Sequence, residues 1–251
     1  MYKTFSCVHG ESGRFERGTH PVIEEASLSL NINGRHAMTA MVSPAEIEEF
    51  VTGFLFTEQI IKGIGEIESI KQDDGVVSVL TTNPFKVTGA KKIVLSGCGG
   101  TSSHVDPKKL PQIDSDFTLQ YNAVTAGIRQ VMDSELHKMT GGVHIVGLMG
   151  RDGLIHRSED IGRHNAFDKV IGYALRKEID LSRTFAISSG RISSEMVRKC
   201  LVSNIPVIAS RGAATSLSLE VAEKTGLCVI GFVRGEKMNI YTHPERIEGT
   251  I

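Results

Sequence analysis

The chain has 251 residues, enough for one large domain or two modest ones. Its 40% apolar and 23% charged residues describe an ordinary globular protein. A net charge of −1 excludes a global pull towards nucleic acid or anionic lipid, leaving only local basic clusters to bind an anion.

Residues 1 to about 22 are polar and Gly-containing without a clear period, and are expected to form an extended lead-in. Residues 25–32 (EASLSLNI) alternate Leu28, Leu30 and Ile32 with polar residues, which is strand periodicity. Asn33-Gly34 is a strong hairpin turn, and 36–42 reads as the returning strand. Ser43-Pro44-Ala45-Glu46 has the form of a capping box opening a helix to about Ile61, with Gly63 and Gly65 ending it. Strands are expected over 67–71, 75–82 and 86–95.

The apolar run Ile93-Val94-Leu95 delivers Cys98 onto a loop of Gly and small hydroxyl residues, Ser96 to Ser103. A thiol there has no bulky neighbours, and backbone N–H groups could stabilise the reactive thiolate. A packed, inert thiol is the competing reading. The four cysteines (Cys7, Cys98, Cys200, Cys228) form no CxxC pair. Cys200 and Cys228 lie in apolar runs and read as core. With no leader pattern and no membrane-length apolar run, a reduced, cytoplasmic compartment is expected.

After Pro107 and Pro111 the pattern changes, and a domain boundary is expected near 105–116. Residues 119–139 have helical spacing, 143–149 read as a buried strand, and 154–156 as a short hairpin partner. Helices over 166–175, 194–201 and 216–224 alternate with strands over 184–188, 205–209 and 227–232. Residues 238–242 would add an edge strand. Such alternation predicts a layered sheet with crossover helices in the second half, following an α+β first half.

Polar clusters sit at the ends of these apolar runs: 140–144, 159–165, 188–191 and 210–216. In open α/β sheets the loops beyond the strands' carboxyl ends converge on a ligand crevice. Gly and Arg before a helix offer N–H groups, a helix dipole and a bidentate donor to phosphate oxygens. Arg163, Arg191 and Arg211 would equally suit ion pairs with Glu159, Asp160 or Glu195. His144 would equally suit a hydrogen-bonded structural role, and Asp168 and Lys169 a solvated helix face. His156 and His164 lack metal-ligand spacing, and no HExxH, P-loop or dinucleotide fingerprint occurs, so no metal is expected.

The segments EDIGRHNAFDKVIG (159–172), SSGRISSEMVRK (188–199), SRGAATSLSLEVAEKTGL (210–227) and GFVRGEKMNIYT (231–242) resemble the formate dehydrogenase accessory proteins, the FdhD family. TGGVH (140–144), NING (31–34) and the Cys98 loop extend the likeness. The resemblance implies a smaller N-terminal α+β domain (1–110) and a cytidine-deaminase-like layered α/β domain (111–251), without the deaminase zinc motif. It implies a cytoplasmic sulfurtransferase that moves persulfide sulfur from a cysteine desulfurase to the bis(molybdopterin guanine dinucleotide) molybdenum cofactor, as formate dehydrogenase activity requires. Cys98 inherits the persulfide role, and the cofactor-contacting segment maps to Phe232, Val233, Arg234, Gly235, Glu236 and Lys237. Arg163, Arg191, Arg211 and His144 are expected to join them in holding the cofactor. The family loop commonly reads CGxCG, whereas Thr101 stands in the second cysteine's place here. The expected partners are the desulfurase and formate dehydrogenase, with no nucleic acid and no membrane, and a homodimer is an admissible assembly. The alternative functions are a non-catalytic cofactor-binding chaperone, or a nucleotide hydrolase using His144 or His164 with Asp160.

Overall fold

The computed structural model describes residues 1–83 and 110–250, with residues 92–94 as backbone. Cys98 and Thr101 lie outside the described residues, as do most of the strand expected over 86–95 and part of the boundary expected over 105–116.

The first 22 residues are not a lead-in. Strands β1 (Tyr2–Glu11) and β2 (Arg14–Ile23) pair antiparallel along their whole length as a separate hairpin. Ser12 and Gly13 turn it with φ of 51° and 83°, the positive values that match the twist of hairpin strands. Most of its residues are exposed on both faces, so no alternation of apolar and polar residues marks it.

Strands β3 (Ala26–Ile32) and β4 (Arg35–Val42) form the expected hairpin around Asn33-Gly34. They share a five-stranded sheet with β5 (Ile67–Asp73), β6 (Val76–Thr81) and β7 (Lys92–Val94), in the order β5-β6-β3-β4-β7. Helix α1 (Ile47–Thr57) packs Phe50, Val51 and Leu55 against Leu30, Met38 and Val77. The expected capping box is absent: the residue before α1, Glu46, is left-handed (φ 53°) with no side-chain cap, and α1 stops at Thr57, before Ile61. Ser43 is buried and has other partners, described below.

The second half begins with β8 (Leu119–Gln120), α2 (Tyr121–Met132) and α3 (Glu135–Thr140). The single helix expected over 119–139 breaks at Asp133-Ser134, where Ser134 Oγ accepts from His137 N and starts α3. Then follow β9 (His144–Gly150), β10 (Gly153–Asp160), α4 (Arg163–Arg176), β11 (Phe185–Ser188), α5 (Ser194–Val202), β12 (Val207–Ser210), α6 (Ser216–Thr225), β13 (Cys228–Arg234), β14 (Lys237–Thr242) and β15 (Ile247–Glu248). Six strands form one sheet in the order β10-β9-β11-β12-β13-β14, with β11, β12 and β13 parallel. On one face Phe167, Val170, Met196, Val197 and Val221 of α4 to α6 meet Val146, Leu148, Ala186 and Ile208. On the other, Val124, Ile128 and Val131 of α2 meet Ile145, Phe185, Ile187 and Val207. This is the layered α/β unit expected from the alternation, with β14 at its edge.

The two sheets are joined through α1 and α4, which touch backbone to backbone. A Cβ on Gly53 would lie 1.8 Å from the Asp168 carbonyl oxygen, and one on Gly172 would lie 1.8 Å from that of Glu49. Only glycine at both positions permits this approach. Among the described residues no helix is long and apolar enough to cross a membrane.

Candidate functional site

The parallel strands β11, β12 and β13 end on the same edge of the sheet, where β9 begins and β10 ends. The sheet therefore collects the sequence's polar clusters at one end. Close approach of their loops depends on small residues. A Cβ on Gly190 would lie 3.2 Å from both Arg163 Cδ and His144 Nδ1, and one on Gly212 would lie 3.4 Å from Arg191 Cα. The serines ending each strand complete the contact: Ser210 Oγ donates to the Gly190 carbonyl at 2.6 Å and accepts from Gly212 N at 2.9 Å. Ser188 Oγ accepts from Gly190 N, and Ser189 Oγ from Ile145 N.

A cleft of about 340 Å³ opens here, lined by His144, Arg211, Ser189, Ile161, His137 and Gly142 among others. His144 and Arg211 thus line one cleft, with Arg163 at the start of α4 and Arg191 in the β11–α5 loop beside it. His137 was not anticipated, because it lies within α3 and carries no motif; its Nδ1 is 3.1 Å from the Val143 carbonyl. Phe232 joins this end through its N–H to the Gly212 carbonyl (3.0 Å), at a β-bulge where its φ is 54°. A non-glycine residue held there is strained, and the bulge turns its ring outward, 41% exposed. Val233 instead packs into the core with its side chain buried. Arg234, Gly235, Glu236 and Lys237 form the exposed β13–β14 turn, tied to α2 by Tyr121 Oη donating to the Glu236 carbonyl.

Two of the three acids offered as partners for the arginines, Asp160 and Glu195, are engaged elsewhere. Asp160 is wholly buried, 2.7 Å from Lys169 Nζ, and accepts from Ser43 N, Gly162 N and Asn165 Nδ2. Lys169 also donates to the carbonyls of Ser43 and Glu159, and Ile161 N donates to Ser43 Oγ. Glu195 pairs with Arg198, which also binds Glu58 and the Thr57 carbonyl. Arg191 and Arg211 are exposed and form no ion pair among the described residues. Their guanidinium groups are therefore available to an anionic ligand.

Asp168 and Lys169 are not a solvated face. Both are buried, and Asp168 meets Lys199 Nζ at 2.6 and 2.8 Å and Thr57 Oγ1 at 2.8 Å. Two buried ionic clusters thus fasten α1 and its approach to α4 and α5. Asp160, with its lone pairs committed to these bonds, is not placed as the acid of a hydrolase.

Two histidines, His144 and His164, are shifted towards the neutral ring. His144 is shifted down by burial first and then by the Arg163 charge. His164, whose Nε2 is 3.4 Å from Ser193 Oγ, is pushed down to about 3 by burial first and then by Lys199 and Arg163. Cys200 and Cys228 are buried, as expected; burial raises both thiols, Cys228 to about 12. Neither supplies a thiolate at neutral pH. Cys7 is half-buried on β1.

Known proteins agree with the likeness seen in the motifs. The chain is 37% identical over 239 residues to the sulfur carrier protein FdhD of Wolinella succinogenes, covering 90% of this chain and 82% of that one. It is 34% identical over 244 residues to that of Bacillus pumilus, covering 94% and 93%. A solved structure from Desulfotalea psychrophila, provisionally named a formate dehydrogenase accessory protein, superposes with a TM-score of 0.80 at 29% identity, covering 98% of this chain and 99% of that one. With the model of the FdhD/NarQ family matching residues 23–248 as well, the chain belongs to the FdhD/NarQ family.

Proposed function

We propose that this protein is a sulfur carrier that takes persulfide sulfur from a cysteine desulfurase and passes it to the bis(molybdopterin guanine dinucleotide) cofactor of a formate dehydrogenase. Its relatives are named sulfur carrier proteins, and its structural neighbour a formate dehydrogenase accessory protein. In this reading Cys98 is the carrier. Its thiolate attacks the terminal sulfur of the desulfurase persulfide; a new S–S bond forms, the old one breaks, and the desulfurase thiolate leaves. Transfer onward breaks the Cys98 S–S bond and frees its thiolate, the acceptor supplying the two electrons that convert sulfane sulfur to sulfide.

One observation carries the reading. Strand β7 runs parallel to β4, with Val94 level with Ala40, so both advance towards the end where Ser43 is bonded to Asp160 and Ile161. Ile161 lines the cleft. Cys98 is only four residues beyond Val94, a span of at most about 14 Å. In this reading a nucleophile tethered there serves the cleft, where Arg191 and Arg211 offer donors to the phosphate oxygens of a pyrophosphate. Phe232 and the Arg234–Lys237 turn extend the same surface. The two domains, 1–110 and 111–251, then divide the work: sulfur carriage on the first, cofactor binding on the second.

The test is complementation of cells lacking the native protein. Cys98→Ala should bind guanine nucleotide normally yet give no formate dehydrogenase activity, while Thr101→Ala should retain most of it. Full activity with Cys98→Ala would remove sulfur carriage and leave a binding chaperone.

A further inference from the structure

His137 lines the cleft from α3, and the protein fixes it at three points. Its backbone N–H donates to Ser134 Oγ at 2.9 Å, its carbonyl accepts from Gly141 N at 2.8 Å, and its ring Nδ1 lies 3.1 Å from the Val143 carbonyl oxygen. Gly141 closes α3 in the left-handed region (φ 63°), which glycine adopts without strain. A carbonyl oxygen can only accept, so Nδ1 carries the ring hydrogen and the neutral ring presents a lone pair at Nε2. That nitrogen has no hydrogen-bond partner among the described residues. We infer that His137 is a specificity-determining residue of the cleft, its Nε2 accepting an N–H from the edge of a guanine-type base. The inference rests on the guanine dinucleotide reading of the cleft and names the side chain that chooses the base.

The other lining groups suit such a ligand. Met132, Val143 and Ile161 give apolar walls for a flat ring. A volume of about 340 Å³ is at the low end of small-molecule sites, so it takes part of a dinucleotide rather than the whole. Ser189 Oγ already accepts from Ile145 N at 2.9 Å, which leaves its own hydrogen to donate, and the Arg211 guanidinium can only donate. The His144 ring makes no hydrogen bond among the described residues, so either of its tautomers can form. Burial first and then the Arg163 charge lower it, and His137 is among the lesser causes, so the two rings stand close enough to interact. His137 is thus the acceptor whose tautomer the protein itself sets. A donor-rich cleft with one set acceptor matches guanine, whose carbonyl stands beside N–H donors at N1 and N2. Adenine has a bare lone pair at N1, which would face the lone pair of Nε2. A site built around such a hydrogen bond rejects the analogue that lacks it, because its polar group is then left unpaired.

Calorimetry of the full chain with GDP and ADP tests it. The wild type should bind GDP at least ~10-fold more tightly than ADP. His137→Phe keeps a flat ring without the acceptor; it should weaken GDP by about 10-fold, leave ADP unchanged and so abolish the preference. His137→Gln, whose amide oxygen can accept, should restore part of it. Arg211→Ala should weaken both nucleotides alike and keep the preference, because both carry the same diphosphate. A wild type without preference, a preference that survives in His137→Phe, or equal loss of GDP and ADP in that variant would overturn the assignment while leaving guanine nucleotide binding in place. A wild type that binds neither would overturn the nucleotide reading of the cleft, and the role of His137 with it.

Discussion

Replacing Lys199 with Met tests whether the buried ionic cluster, rather than hydrophobic contact alone, joins α1 to the cleft domain. Lys199 Nζ lies 2.6 and 2.8 Å from the two carboxylate oxygens of Asp168 and 3.0 Å from Thr57 Oγ1, and both partners of the pair are buried. Met keeps the stem and removes the charge, leaving Asp168 with Thr57 as its only other side-chain hydrogen-bond donor among the described residues. Breaking one side of a buried pair costs about 3–5 kcal/mol, against a total stability of roughly 5–15 kcal/mol. The pH dependence is distinctive. Burial already raises the Asp168 carboxyl above its ordinary range, opposed chiefly by Lys199. Without Lys199 it must rise further. A carboxyl raised on folding contributes stability below its unfolded value and loses it as pH climbs through the folded value. The deficit of Lys199→Met should therefore be largest at neutral pH and shrink towards acid. A second substitution, Asp168→Leu, should recover most of the loss, because it removes the stranded charge. Urea unfolding of the three proteins at neutral and acidic pH is the assay. A deficit under about 1 kcal/mol, or one independent of pH, would refute the reasoning.

Gly172→Ala should lower the melting temperature despite alanine's helix propensity gain of about 1 kcal/mol, because its Cβ meets the Glu49 carbonyl; a higher melting temperature would show that α1 and α4 can separate freely. The His164 ring should stay neutral through the mildly acidic range, consistent with its depression to about 3, and NMR titration finding an ordinary imidazole value near 6.5 would contradict its burial. Because that value is lowered on folding, His164 adds stability at neutral pH that fades as pH falls below 6.5 towards 3. Arg211→Ala should weaken guanine nucleotide binding by about 1.5–3 kcal/mol in calorimetry, and wild-type protein that binds none would remove the phosphate role of the cleft.

Much of the cleft domain was legible because its strands are buried on both faces and its helices have one apolar side, so periodicity reports their type. The convergence of Arg163, Arg191, Arg211 and His144 followed from the same alternation, since parallel strands with crossover helices must put their carboxyl ends together. What could not be read depends on partners distant in sequence. Ser43 looks like a helix cap, but its backbone and hydroxyl are bonded to Asp160 and Ile161, more than a hundred residues on. Asp168 and Lys169 sit on a helix and look solvated until α5 and the approach to α1 cover them. The first hairpin escaped notice because, exposed on both faces, it carries no burial pattern. Its Ser12-Gly13 pair was the only local signal of a turn.

Intact mass of the wild-type protein after incubation with a cysteine desulfurase and cysteine measures the central claim most directly. One added sulfur is predicted, lost in Cys98→Ala and retained in Cys7→Ala, since Cys200 and Cys228 are buried thiols that do not ionise at neutral pH. No added sulfur on the wild type, or the same added sulfur on Cys98→Ala, would contradict it.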